Sequence, residues 1–150
     1  MAAARDRAEA LKVIAEIRGL QSRAAELDAV RAAGERRAAE ERRTDCAERL
    51  AGTEAGWAAT VGGGAFDPEL ARHWFAALEA GRAEQHRLDE IAAAAGEELE
   101  RRRSDWQAAS ARTDAAREQS RIAGRRAGHR REEARLAAVE DRAAAAPRRT

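Results

Sequence analysis

Tyrosine is absent from this 150-residue chain, and aromatic residues of all kinds make up only 3% of it. Lys12 is the single lysine, Cys46 the single cysteine, and Pro68 and Pro147 the only prolines. One cysteine cannot form an internal disulfide, and a lone thiol fits a reducing compartment. Hydrophobic residues reach 44%, but most of them are alanine. Burial contributes only ~25 cal/mol per Å² of apolar surface, and alanine has little surface to bury, so a thick globular core is excluded. The longest apolar stretches are short alanine runs, so neither a leader peptide nor a membrane-spanning segment is expected. An excess of one charge is missing too: 28 basic and 27 acidic residues leave a formal net charge of +1. That balance argues against a dedicated nucleic-acid binder, which needs a strong basic footprint.

What remains is helix-forming material. Alanine, arginine, glutamate and leucine dominate, and this composition with a helical period reads as coiled coil or long helix. Acids and arginines alternate three and four residues apart, where they support a helix by a few tenths of a kcal/mol per pair. Val13, Ile17, Leu20, Ala24 and Leu27 step by four and three, which predicts a coiled-coil seam. The register drifts through Val30 and resumes with Ala39, Cys46 and Leu50, ending at Trp57. Cys46, at a seam position, reads as a small buried hydrophobe. Gly34, Gly52 and Gly56 weaken this helix, each by ~1 kcal/mol relative to alanine.

The one clear break is Val61-Gly62-Gly63-Gly64-Ala65-Phe66-Asp67-Pro68. Three glycines make a turn. Asp67 then caps a new helix, with Pro68 in its first position and Glu69 at the positive end of its dipole. Beyond it, Leu70, Trp74, Ala77 and Gly81 continue the four-three spacing, as do Leu88 and Ala95 with Ile91 between them. Leu99 and Trp106 are seven apart, and Ile122, His129 and Leu136 repeat every seven. The expected fold is all-α: a helix over about 4–59, a turn over about 60–67, a longer helix over about 68–145, and a frayed tail over 147–150. The two helices form an antiparallel coiled-coil hairpin within one domain, 1–146. Folding about Gly63 pairs Leu50 with Leu78, Leu27 with Leu99 and Leu20 with Trp106. The last turns of the longer helix should then project past the amino terminus.

Few residues carry chemistry. His73, His86 and His129 have no partner at metal-ligand spacing, so zinc and histidine catalysis are not expected. The glycine run lacks the Lys-Ser/Thr of a phosphate loop, and no strand precedes it. A two-helix arrangement offers no deep concave pocket, so neither an enzyme nor a cofactor is expected. Two surfaces stand out. Arg121, Arg125, Arg126, Arg130 and Arg131 occupy a window without an acid, suited to an anion-rich protein surface or to phosphate; the alternative is a solvated helix compensated by Glu132 and Glu133. Phe75, Glu79, Arg82 and His86 form one stripe of the second helix, with Trp74 and Leu78 on the adjacent face. Exposed aromatics beside charges mark contact surfaces. The other reading packs Trp74 and Phe75 on the loop and on Trp57.

Phe75, followed by Glu84-Gln85-His86-Arg87-Leu88 and then Trp106 in an Arg-rich helix, resembles the flagellar FliJ family of type III export proteins and the related YscO proteins of injectisomes. The likeness covers nearly the whole chain in helix layout and specific residues from about Trp74 to Trp106. It implies a non-enzymatic stalk, similar to the central stalk of rotary ATPases, acting in flagellum biogenesis, motility and protein transport. The chain ends would enter the export ATPase ring, with Arg121, Arg125, Arg126, Arg130 and Arg131 facing it. A stripe nearer the hairpin tip, matched here by Phe75 and His86, would contact the cytoplasmic domain of the export gate. Export chaperones are further partners the resemblance implies. Such a protein would be cytoplasmic, reaching the membrane only through its partners, with no small-molecule substrate. The sequence departs from the family at Glu79 and Arg82, where apolar or small residues are expected, and in its lack of tyrosine on the first helix. The alternatives are a generic coiled-coil adaptor or scaffold and an arginine-rich nucleic-acid-binding hairpin.

Overall fold

The structure is a computed structural model that describes residues 2–64 and 66–145, with side chains from 6 to 64 and from 66 to 144. The tail from Pro147 lies outside them. The described residues form an all-helical pair, α1 (Ala2–Gly62) and α2 (Pro68–Ala145), of 61 and 78 residues, and contain no strand. The second helix is the longer, as expected. α1 runs further than its expected end near residue 59 and takes in the first glycine of the triplet. Asp67 closes the start of α2: its Oδ1 accepts from the Glu69 amide at 2.9 Å and the Leu70 amide at 3.3 Å. Its carbonyl accepts the first helical bond, from the Ala71 amide at 3.0 Å. These are the bonds of an N-cap, which satisfy donors that a helix start leaves open.

The chain divides into two compact units. The hairpin unit is Glu26–Ser104; the terminal unit joins Met1–Ala25 with Asp105–Thr150. In the hairpin unit the two helices run antiparallel along a strict four-three seam. On α1 the buried residues are Ala29, Ala32, Ala39 and Cys46; on α2 they are Ala71, Leu78, Leu88 and Leu99. Small residues thus sit mainly on α1 and large ones on α2. Two close approaches reverse that polarity or sharpen it. The Trp74 ring lies over Gly56, where a Cβ would come within 2.6 Å of it. Leu50 lies over Gly81, where a Cβ would come within 2.9 Å of the leucine Cδ1. At Gly56 the rigid indole occupies the volume of a methyl group, whereas at Gly81 the end of the flexible Leu50 side chain would have to shift. Arg43 donates to Asp89 across the helices at 2.6 Å, and Arg82 to Glu54 at 3.3 Å.

The terminal unit is packed differently. Thr113 is its one buried side chain among the described residues, at 3% exposure. The Thr113 hydroxyl lies 2.8 Å from the Arg18 carbonyl of α1 and 2.9 Å from the Ala109 carbonyl of its own helix. Elsewhere in this unit the described residues are at most half-buried, among them Leu11, Ala15, Ser22 and Ala25 on α1 and Ala109, Ala116, Ile122 and Ala123 on α2. Every described side chain from His129 to Ala144 is exposed.

Three expectations are corrected. Val13, Ile17, Leu20 and Leu27 are not the seam; they are exposed, Leu20 and Leu27 at 65% and 64%. The sequence carries two four-three frames on α1, offset by one or two residues and therefore on different faces of the helix. The frame of large residues runs into Arg31, Gly34 and Glu41 and stops. The frame of small residues runs through Ala25, Ala29, Ala32, Ala39, Cys46 and Leu50, with Arg36 and Arg43 at the two positions between, and this one faces α2. The apparent drift at Val30 is a jump from one face to the other. Second, the pairing is displaced. Leu50 lies over Gly81, and Leu20 and Leu27 are exposed instead of paired with Trp106 and Leu99. The pairs Gly56/Trp74, Leu50/Gly81, Arg43/Asp89 and Arg18/Thr113 are centred on residues 65–66, because α1 continues into the glycines before the chain turns. Third, Leu70, Ile91, Trp106, His129 and Leu136 are exposed.

Candidate functional site

The hairpin unit presents Phe75, Glu79, Arg82 and His86 along one exposed face of α2. Trp74 turns inward to Gly56, and its neighbour Phe75 therefore points away, 54% exposed. Of the two readings of Phe75, packing inside the hairpin end is the one the structure rules out; Trp74 belongs to the seam. His73 meets the Trp74 ring edge-on at 5.8 Å between centroids. Trp74 Nε1 is buried without a hydrogen-bond partner. His86 Nε2 lies 3.5 Å from Glu90 Oε1, one turn further on. Arg82 is not a free surface charge, because its guanidinium reaches Glu54 on α1. Phe75 and His86 thus share an exposed face that is apolar at one end, with Arg82 between them committed to the helix pair.

Next to this face a run of local ion pairs stiffens α2. Arg87 donates to Glu84 through two nitrogens, at 2.9 and 2.7 Å. That fork holds the Glu84 carboxyl below the usual carboxylate range and raises Arg87. Glu98 accepts from Arg101 and Arg102, which hold it low in the same way. Arg36, Arg43, Asp89, Glu97 and Arg101 line a shallow open groove with Ala92, Ala93 and Gly96.

In the terminal unit the five expected arginines do not act as one cluster. Arg121 and Arg125 both pair with Glu118, which lies just before the acid-free window. Arg131 donates from Nε back to the Ala127 carbonyl at 3.2 Å. Arg126 and Arg130 line a groove with Arg7, which the sequence reading missed, and with Leu11, Gln119 and Ile122. The signal for Arg7 was weak, since it depends on the long-range pairing of α1 with α2. The second surface missed is apolar: Val13, Ile14, Ile17 and Leu20 lie exposed together on α1. Their spacing was visible, but it read as the seam.

Among the described residues, no group of three or more His, Cys, Asp or Glu side chains could hold a metal ion. Nor is any described helix long and apolar enough to cross a membrane. In comparison with known proteins, no protein-family model, no curated protein and no solved structure matches this chain.

Proposed function

We propose that this chain is a non-enzymatic, protein-binding stalk of a flagellar or type III protein export apparatus, linking an export ATPase ring to the export gate. The observation that carries the reading is the exposure of Phe75 on the same α2 face as His86, in a helical hairpin whose second helix outruns the first. An aromatic side chain left outside a helix pair is the kind of anchor a protein partner covers. Arg126 and Arg130, with Arg7, supply the basic surface for the ATPase ring, and Arg121 and Arg125 share the Glu118 carboxylate. The protein reaches the membrane through these partners and works in the cytoplasm, where export chaperones are further candidates for escort.

The test is a pull-down with the export ATPase and with the cytoplasmic domain of the gate. The reading expects both to bind, and Phe75→Ala with His86→Ala to lose the gate while keeping the ATPase. Binding to neither, or gate binding untouched by the double substitution, overturns it. The second reading, a coiled-coil adaptor unrelated to secretion, is favoured by Arg82. Its tie to Glu54 places a charge in the stripe where the export family has apolar or small residues. Genes for flagellar or injectisome components beside this one would favour the stalk; their absence would favour the adaptor.

A further inference from the structure

In the terminal unit the large aliphatic side chains are on the wrong side for a two-helix fold. Val13, Ile14, Ile17 and Leu20 are exposed, whereas the face of α1 against α2 offers Leu11, Ala15, Gly19, Ser22 and Ala25. No apolar side chain is fully buried among the described residues of this unit. Val13, Ile17, Leu20 and Ala24 step by four, three and four, with Ile14 widening the strip: a second heptad seam without a partner. Glu16 and Arg23 flank it, both exposed, and neither makes an ion pair or side-chain hydrogen bond among the described residues.

We infer that this face of α1 is the interface for a second copy of the same chain, docked antiparallel. The strip is self-complementary in that direction. With two α1 segments related by a twofold axis between residues 18 and 19, Ile17 faces Leu20 of the second copy and Val13 faces Ala24, each contact occurring twice. The same register sets Glu16 beside Arg23 of the second copy, and Arg23 beside its Glu16. Both unpaired charges on the rim then gain a partner of opposite sign. A parallel pairing would leave Glu16 beside the neutral Gln21. Docking gives the terminal unit the apolar burial that its α1–α2 contact lacks. It uses a different helix and a different face from Phe75 and His86, so it stands apart from the export assignment.

Sedimentation of the full chain across a range of concentrations tests this. The expected result is a reversible shift from one chain mass to two. Ile17→Glu removes the dimer while circular dichroism stays helical, since Ile17 makes no buried contact within the chain. Glu16→Arg and Arg23→Glu each weaken the dimer by about tenfold, because each sets two like-charge pairs across the axis. The double variant, with both charges exchanged, returns to within about threefold of the parent. A chain that stays single at every concentration overturns the inference, as does a dimer that Ile17→Glu leaves intact. A double variant no tighter than the single ones overturns the antiparallel register.

Discussion

Glycine beneath the indole has the opposite consequence from glycine on the open face. At Gly56 a methyl group would fall within 2.6 Å of the Trp74 ring. Gly56→Ala therefore displaces the indole, and the overpacking costs about 1–3 kcal/mol, more than the ~1 kcal/mol gained in helix propensity. At Gly52 nothing lies within 4 Å. Gly52→Ala is expected to stabilise by up to ~1 kcal/mol. Urea melts of the two variants check the pair, and destabilisation by both or by neither contradicts the seam. Thr113 is the other residue whose identity follows from its surroundings. Its hydroxyl reaches the Arg18 carbonyl across the helices, a polar contact that fixes register where no apolar side chain is fully buried among the described residues of the terminal unit.

At the scale of the helix, α2 is defined at its start and along its length by side chains that were readable in advance. Asp67→Ala removes the acceptor for two amides and is expected to cost about 1 kcal/mol in a thermal melt. Glu84 and Glu98 bind protons less readily in the folded helix than in the unfolded chain, because Arg87, and Arg101 with Arg102, favour their charged forms. Their contribution is present above the ordinary glutamate value of ~4.3 and is lost as pH falls through their lower folded values. Melting temperature should drop along that acid limb, and Glu98→Gln should flatten the drop. High salt should reduce it too, since these groups are open to solvent. Helix type, helix ends and the turn were legible because caps, glycines and the four-three spacing are local signals. The face that α1 turns inward was not. Two frames with the same period compete there, and size favoured the wrong one. The decision rests on continuity with residues far along the helix and on what α2 offers opposite. The exposure of Phe75 follows from where Trp74 goes, and the groove at Arg7, Arg126 and Arg130 follows from long-range pairing; neither is written in local sequence.

Over the whole molecule, apolar burial is uneven. All the buried hydrophobic residues, from Ala29 to Leu99, belong to the hairpin unit, while the described residues of the terminal unit bury only Thr113. Helices gain most of their stability from packing, so amide protection should follow that division. In the dilute chain, amides between Glu26 and Ser104 should exchange slowly and those beyond Arg121 quickly, with protection there appearing when a partner binds. Strong protection beyond Arg121 in the free chain would contradict this. Beneath every reading lies the reversal of the chain at its glycines, which a distance between two spin labels measures directly. Labels at Glu40 and Glu97, in a Cys46→Ala background, sit on exposed positions around one groove of the hairpin unit. Side-by-side helices ~8–10 Å apart predict a narrow distribution below ~30 Å once the label arms are added. A separation near ~85 Å, the span of an unbroken helix between those residues, would contradict it.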